Sequence, residues 1–209
     1  ARKELERLGE AQSKTGMALR QVGKVSANLP GRGYMSSISA DGRYVSYSDS
    51  ETGNVGLFES GSDIARLVTQ YGKWDKTKGF TDENVISPDG KWIAFNHYMR
   101  GAKDTQLRII RSDGTGTRTI YRCSDDDWVI PHAWSPDGKQ ILGLIWRQAK
   151  SDIQGKYDIA LFGVENASVR ILKEFEATRR YWGAARGGGT MAFSPDGLYI
   201  AYDFPPGKD

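Results

Sequence analysis

The chain has 209 residues, of which 38% are hydrophobic and 26% are charged, so it is long enough to bury the core of one ordinary domain. Its net charge of +3 is spread along the sequence, with a short basic stretch at Arg179 and Arg180, which argues against a nucleic-acid-binding protein. No apolar run approaches the roughly 20 residues of a membrane helix. With 25 glycines, 7 prolines and 11% aromatic residues, the composition favours turns and strands.

The first 16 residues differ in kind from the rest. Leu5 and Leu8 fall on one side of a helical turn, and Gly9 follows as a stop signal. Residues 1–16 are therefore predicted to form a helical or linker segment ahead of repeats that occupy 17–209. Because the sequence starts at Ala1 without a methionine, we expect either a removed N-terminal segment or an excerpt from a longer protein.

Four segments of the remaining sequence align without gaps. They start at Ser39, Ser87, Ser135 and Ser194, read Ser-Ala-Asp-Gly or Ser-Pro-Asp-Gly, and continue into an apolar, β-branched run. The serines are 48, 48 and 59 residues apart, close to the roughly 40–50 residues of a four-stranded propeller blade. Proline and aspartate favour a turn, and glycine accepts the left-handed backbone conformation. Each motif is predicted to be the hairpin between the first and second strands of a blade.

The other strands of each blade are predicted from apolar runs after each motif. Third strands are predicted at 54–58, 106–110 and 158–163, and fourth, outer strands at 65–69, 118–121 and 169–175. Insertions are expected between second and third strands, for instance at 147–156. Gly143 stands where the other three motifs have an aromatic residue after the small residue of the second strand.

The sequence predicts an all-β β-propeller of about three and a half four-stranded blades. Because propellers generally have roughly four to eight blades, we expect a larger ring that continues beyond Asp209. The incomplete fourth blade is then expected to expose an unpaired edge through which it can associate with another strand. In an alternative, residues 18–25 supply an outer strand to the last blade and close a four-bladed ring.

The four motifs resemble the TolB-like propeller repeat, sometimes described as WD-repeat-like, over residues 33–209. Ala40 departs from the proline of the pattern, and the Gly-His and Trp-Asp pairs of eukaryotic WD repeats are absent. The resemblance implies a bacterial, protein-binding fold that is often periplasmic or otherwise extracytoplasmic. Similar blades form the gating domain of prolyl-oligopeptidase-type serine peptidases and sensor segments fused to kinases or transcription regulators.

Residues with catalytic or metal-binding chemistry are few. His132, Ser135 and Asp137 are the residue types of a serine triad, but the serine and aspartate recur in every motif as turn residues. The chain contains no Gly-x-Ser-x-Gly nucleophile elbow. Two histidines and one cysteine argue against a zinc site, and the three aspartates at 125–127 are interpreted as a solvated loop rather than a calcium site. The sequence therefore predicts no enzymatic activity, no cofactor and no metal.

Tryptophans recur after the outer strands. Trp74, Trp128 and Trp182 are 54 residues apart, in connections expected to cross one propeller face toward the central channel. Tryptophan, tyrosine and arginine dominate binding hot spots. We therefore predict a binding rim on this face, formed by Trp74, Trp128, Trp182, Arg179, Arg180, Tyr181 and Arg186. The alternative is that the rings pack between blades as core, and we favour that interpretation for at least one of them.

These observations predict a non-catalytic protein-interaction or sensing module whose blades present loops rigidly to a protein or peptide partner, with no role for nucleic acid or membrane insertion. The alternative is a substrate-gating propeller of a prolyl-oligopeptidase-type serine peptidase whose hydrolase domain is absent from this chain. A third hypothesis is a ligand-sensing propeller joined through residues 1–16 to a signalling domain.

Overall fold

The computed structural model describes residues 37–49, 51–60, 62, 65–71, 79–99, 104–123, 127–148, 154–178 and 190–203. Within these residues the regular structure consists of fourteen strands in three four-stranded antiparallel sheets and one two-stranded sheet. The described part of the chain is therefore all-β, as predicted. The helical segment predicted at 1–16 and the alternative strand at 18–25 lie outside the described residues, so the domain division stays a prediction.

The strands of each sheet follow one another in chain order. The first blade consists of β1 (Ser37–Ile38), β2 (Tyr44–Asp49), β3 (Asn54–Glu59) and β4 (Ala65–Leu67). The second consists of β5 (Asn84–Ile86), β6 (Trp92–Met99), β7 (Asp104–Arg111) and β8 (Arg118–Arg122). The third consists of β9 (Trp128–Trp134), β10 (Gln140–Gln148), β11 (Gln154–Gly163) and β12 (Val169–Thr178). The fourth unit has β13 (Met191–Phe193) and β14 (Ile200–Tyr202).

The four serine-to-glycine motifs connect the first and second strands of the four sheets, as predicted. In each motif the glycine N–H donates to the serine carbonyl at 2.8–2.9 Å and closes a tight turn. The φ angles of Gly42, Gly90, Gly138 and Gly197 are +69°, +69°, +70° and +73°. This left-handed conformation is the one that a residue with a Cβ resists, which explains why glycine ends every motif.

The serine of each motif also has a structural role, which the sequence reasoning did not assign. In the third blade the Ser135 hydroxyl donates to Asp137 Oδ1 at 2.6 Å and accepts the Gln140 N–H at 2.9 Å. Asp137 Oδ1 in turn accepts the Lys139 N–H at 3.1 Å. These bonds lower the pKa of the Asp137 carboxyl below its ordinary value, the Ser135 hydroxyl contributing most. Serine and aspartate thus satisfy the backbone of their own turn.

Three apolar clusters lie between neighbouring blades. The first joins blades one and two, the second joins blades two and three, and the third joins blade three to the fourth unit. Ile93, Ala94 and Phe95 are all completely buried, because strand β6 is covered on both of its faces. Across the second cluster the Trp134 indole N–H donates to the Val85 carbonyl at 3.0 Å. Adjacent blades are therefore held together by apolar packing and by a buried hydrogen bond.

Gly143 departs from the repeat because of a β-bulge. In the pairing of β9 with β10, Leu142 lies opposite Ala133 and Gly143 opposite Pro131, so His132 is the extra residue. A Cβ at Gly143 would lie 2.7 Å from the Ile130 carbonyl oxygen. The close approach of these two strands excludes the aromatic residue that the other motifs have at this position.

The insertion predicted at 147–156 is wrong in its extent. Arg147 pairs with Lys156 in the antiparallel ladder, so strands β10 and β11 extend to Gln148 and from Gln154. The reason is tertiary: the rings of Trp146 and Tyr157 pack 4.5 Å apart, and Arg147 Nε donates to the buried Asp158 carboxylate at 2.6 Å. Polar residues that look like a loop in the sequence form the end of a hairpin.

Candidate binding surface

The blades present two faces with different connections. Because the strands are antiparallel, the turns between first and second strands and between third and fourth strands lie at one end of each sheet. We call this end the turn face; it includes the motifs at 39–42, 87–90, 135–138 and 194–197. The opposite end, where second strands lead into third strands and each blade leads into the next, is the connection face. Of the predicted tryptophan rim, the structure describes Trp128, which lies at the connection face.

Trp128 is the first residue of β9 and therefore lies at the connection face. Its indole is half-buried and stacks on the Tyr98 ring of the second blade, with centroids 4.9 Å apart and planes 7° apart. The Phe80 ring lies 6.4 Å from the same indole and 5.3 Å from Tyr98. Trp128 thus joins the third blade to the second, and the residue as a whole is half-buried.

A row of aromatic side chains runs from Trp128 across the third blade. Trp128 pairs with Trp146, Trp146 with Tyr157, and Tyr157 with Phe175, so the four residues occupy one register across all four strands. Trp146 and Tyr157 are 5% and 2% exposed, and burial raises the pKa of Tyr157 to about 12. This row of aromatic side chains holds Trp128 against the third blade. The sequence alone does not show the row, because it depends on the register of the four strands.

The other predicted rim residues cannot be compared with this geometry. They lie outside the described residues, and they are Trp74, Arg179, Arg180, Tyr181, Trp182 and Arg186. Their grouping around one opening stays a prediction.

The residue types of a serine triad do not come together as one. The Ser135 hydroxyl donates a hydrogen bond to Asp137 within the turn, whereas the serine of a catalytic triad donates to a histidine. His132 lies in the bulge of β9, and its Nε2 is buried without a hydrogen-bond partner in the described part of the chain. Burial lowers the pKa of His132 to about 4, so the ring is neutral at physiological pH.

A second buried histidine lies between the first two blades, toward the connection face. His97 is 1% exposed, and its ring centroid lies 4.2 Å from that of Tyr71, whose hydroxyl accepts from Arg108 Nη1 at 3.1 Å. Desolvation, with a smaller contribution from the Arg108 charge, lowers the pKa of His97 to about 4. Among the described residues no group of three or more histidine, cysteine, aspartate or glutamate side chains could hold a metal ion.

The sequence is similar to two curated proteins, and no protein-family model matches it. Dipeptidyl-peptidase 5 of Porphyromonas gingivalis is 29% identical over 151 residues, which cover 62% of this chain and 22% of that protein. An uncharacterized protein of Agrobacterium fabrum is 27% identical over 186 residues, which cover 85% of this chain and 56% of that protein. The chain therefore spans little more than half of one relative and less than a quarter of the other.

Solved structures share the fold at low identity. A TolB candidate from Agrobacterium tumefaciens has a TM-score of 0.60 and 24% identity, covering 85% of this chain and 60% of that one. TolB from Acinetobacter baumannii has a TM-score of 0.56 and 19% identity, covering 85% and 39%. Dipeptidyl peptidase 4 of Porphyromonas gingivalis has a TM-score of 0.56 and 12% identity, covering 84% and 30%. The described blades have the TolB-like β-propeller fold.

Proposed function

We propose that this run of TolB-like blades is a non-catalytic protein-interaction or sensing module that binds a protein or peptide partner through its connection face. The observation that supports this proposal is the half-buried Trp128 indole, stacked at 4.9 Å on Tyr98 at the junction of two blades. A half-buried tryptophan held in place by neighbouring rings is typical of a binding hot spot.

Rigidity favours this use of the connection face. Trp146 and Tyr157 hold the Trp128 row within the third blade, and Tyr98 and Phe80 hold its ring from the second blade. A partner that contacts Trp128 therefore meets a side chain whose position is already fixed. Binding loses less conformational entropy at such a surface than at a surface that must first become ordered.

The proposed rim includes Trp128 and the other predicted residues. Substitution of Arg180 tests the part of the rim that follows the third blade in the sequence. The resemblance to TolB-like proteins supports an extracytoplasmic location, which we propose together with the partner class. No helix within the described residues is long and apolar enough to cross a membrane.

Selection of peptides on the purified chain tests the proposal. A library of random peptides displayed on phage is selected against the immobilised chain, and the dissociation constant of an enriched peptide is then measured. We expect Trp128→Ala and Arg180→Ala to weaken binding by about tenfold or more, the loss of a hot-spot residue. Tyr199→Ala is the matched control, because Tyr199 is an aromatic residue that is 72% exposed on the turn face.

The outcome depends on which variant loses affinity. Unchanged affinity in both Trp128→Ala and Arg180→Ala would show that the connection face is not the binding face. Loss of affinity in Tyr199→Ala alone would assign the interaction to the turn face of the fourth unit instead.

The second candidate function is a substrate-gating propeller of a serine peptidase. The observation that favours it is the 29% identity to a dipeptidyl-peptidase over 62% of this chain. In this alternative the connection-face aromatics contact peptides on their way to a hydrolase domain. The complete sequence of the native protein, obtained by mass spectrometry and its reading frame, discriminates the two, because only the peptidase requires a Gly-x-Ser-x-Gly hydrolase domain.

A further inference from the structure

A thioether and an imidazole are in contact at the end of strand β6. Met99 Sδ lies 2.9 Å from His97 Nε2. His97 is 1% exposed and Met99 is half-buried, so the contact lies just beneath the surface of the blade. Nδ1 of the same ring is buried without a hydrogen-bond partner in the described part of the chain. Neither ring nitrogen is therefore bound to an oxygen or nitrogen atom of the described residues, which leaves the imidazole available as a ligand.

Both side chains point toward the first blade. Because the residues of a strand alternate between its two faces, His97 and Met99 share one face of β6. The Tyr71 ring of the first blade lies on that face, with its centroid 4.2 Å from that of His97. Tyr98, on the other face, stacks on Trp128 of the third blade. Strand β6 therefore separates this pair from the aromatic surface proposed above.

A buried carboxylate with one unpartnered oxygen lies directly opposite Met99. Asp104 pairs with Met99 in the β6–β7 ladder, so the two side chains project from the same face of the blade. Asp104 is 6% exposed, and its Oδ2 accepts from Arg122 Nη1 at 2.6 Å. Its Oδ1 is buried and has no hydrogen-bond partner among the described residues. Because a buried charged oxygen without a partner costs free energy, this atom favours a cation beside it.

The ligand types favour a soft ion of low charge. Thioether sulfur suits Cu(I), imidazole also binds copper, and thioether is not among the usual ligands of zinc, calcium or magnesium. The Arg122 guanidinium already offsets the Asp104 charge, which disfavours a divalent ion in this buried place. Arg108 pairs with Phe95, farther from the hairpin end than His97, so its charge lies on the side of the imidazole away from the sulfur.

We propose that His97 Nε2, Met99 Sδ and Asp104 Oδ1 bind one Cu(I) ion at the end of the β6–β7 hairpin. The imidazole and the thioether are the two principal ligands, and the carboxylate oxygen supplies a third ligand that is negatively charged. The unbranched methionine side chain has three rotatable bonds, so its sulfur can move away from the ring to admit the ion. The ion enters from the side of the half-buried Met99.

An anaerobic titration of the purified chain with Cu(I) tests this proposal. The chromophoric chelator bicinchoninate competes for the ion and reports how much Cu(I) the protein holds. We expect one Cu(I) ion per chain. Met99→Leu, which keeps the volume of the side chain but removes the sulfur, and His97→Gln should each weaken binding by at least about tenfold.

Three control variants remove the same residue types elsewhere in the chain. Met191→Leu removes a buried thioether of the fourth unit, and His132→Gln removes the buried imidazole of the third blade. Cys123→Ser removes the buried thiol, which is the strongest competing Cu(I) ligand type. All three variants should bind Cu(I) with unchanged affinity.

Two further variants test the carboxylate ligand with opposite expected signs. Asp104→Asn should weaken Cu(I) binding by about threefold or more, because the charged ligand is lost. Arg122→Gln should strengthen it by about threefold, because the guanidinium no longer competes for the carboxylate. An ion pair that only stabilises the blade would change the affinity in the same direction in both variants.

Methyl resonances of methionine give a readout that does not depend on the variants folding well. The chain is labelled with ¹³C at the methionine methyl groups and titrated with Ag(I), a diamagnetic ion that stands in for Cu(I). We expect only the Met99 methyl resonance, which is identified by its absence in Met99→Leu, to shift, and the shift to end at one equivalent.

The proposal is overturned by full Cu(I) affinity in Met99→Leu, by loss of binding in Cys123→Ser, or by a shift confined to other methionine methyl groups. If His97→Gln does not fold, as judged by circular dichroism, Met99→Leu and the methyl resonances decide the matter. Failure of this test leaves the connection-face proposal intact, since peptide binding is measured without copper and with different variants.

Discussion

At the scale of single residues, the serine of each turn motif stabilises its turn, and the size of its contribution to folding stability depends on how buried the serine is. Ser135 and Ser194 make the same bonds: each donates to its aspartate, at 2.6 Å and 2.5 Å, and each accepts a backbone N–H at 2.9 Å. Ser135 is 5% exposed, whereas Ser194 is more accessible. Water can replace the bonds of an exposed hydroxyl but not those of a buried one.

We therefore expect Ser135→Ala to lower the free energy of unfolding by about 1–3 kcal/mol, because the Gln140 N–H loses the buried Ser135 hydroxyl as its acceptor. Ser194→Ala should cost less than about 1 kcal/mol. Urea unfolding followed by circular dichroism measures both values. Equal losses in the two variants would contradict a role of burial in this turn.

The buried histidines predict a pH dependence. The pKa of His97 in the folded chain is about 4, lowered by desolvation from an ordinary value of 6.5, so the unfolded chain takes up the proton first. Stability is therefore fully present above about pH 6.5 and is lost as the pH falls toward 4. His132 contributes in the same direction.

His97→Gln should flatten the decline in unfolding free energy over this pH window, since glutamine does not titrate. Lys173→Gln, which keeps both histidines, should retain the full decline. Urea midpoints measured across the window check this expectation. An unchanged slope in His97→Gln would mean that the imidazole takes up its proton equally in folded and unfolded chains.

At the scale of elements, the third blade owes its extended hairpin to packing across strands. Tyr157 lies 4.5 Å from Trp146 and 5.6 Å from Phe175, and it is 2% exposed. Asp158, beside it, holds Arg147 at 2.6 Å. These contacts join strands β10, β11 and β12 at the end nearest the connection face.

Tyr157→Ala should accordingly cost about 3–5 kcal/mol, the range for truncation of a large buried aromatic side chain. Tyr199→Ala, at a residue 72% exposed, should cost less than about 0.5 kcal/mol. Thermal and urea unfolding of both variants give the comparison. A small loss in Tyr157→Ala would show that the aromatic row does not stabilise the blade.

At the scale of the whole molecule, features that depend on neighbouring residues in the sequence could be predicted, whereas features that depend on contacts between distant residues could not. The turns were predictable because Gly42, Gly90, Gly138 and Gly197 need only their own backbone conformation. The extent of the β10–β11 hairpin was not predictable. Arg147 is held in the strand by its hydrogen bond to Asp158, and only the pairing register of the two strands brings these residues together.

The candidate binding surface depends on distant contacts in the same way. Trp128 was predicted from its spacing, but its stacking on Tyr98 depends on how two blades meet.

Hydrogen–deuterium exchange of the chain with a selected peptide tests the central claim, binding through the connection face, most directly. We predict slower exchange in the presence of peptide at the amides around Trp128 and at the ends of β6 and β7 near Met99 and Asp104, which lie on that face. Amides of the turns at 135–138 and 194–197 should be unaffected. Protection confined to the turns, with none around Trp128, would contradict the account.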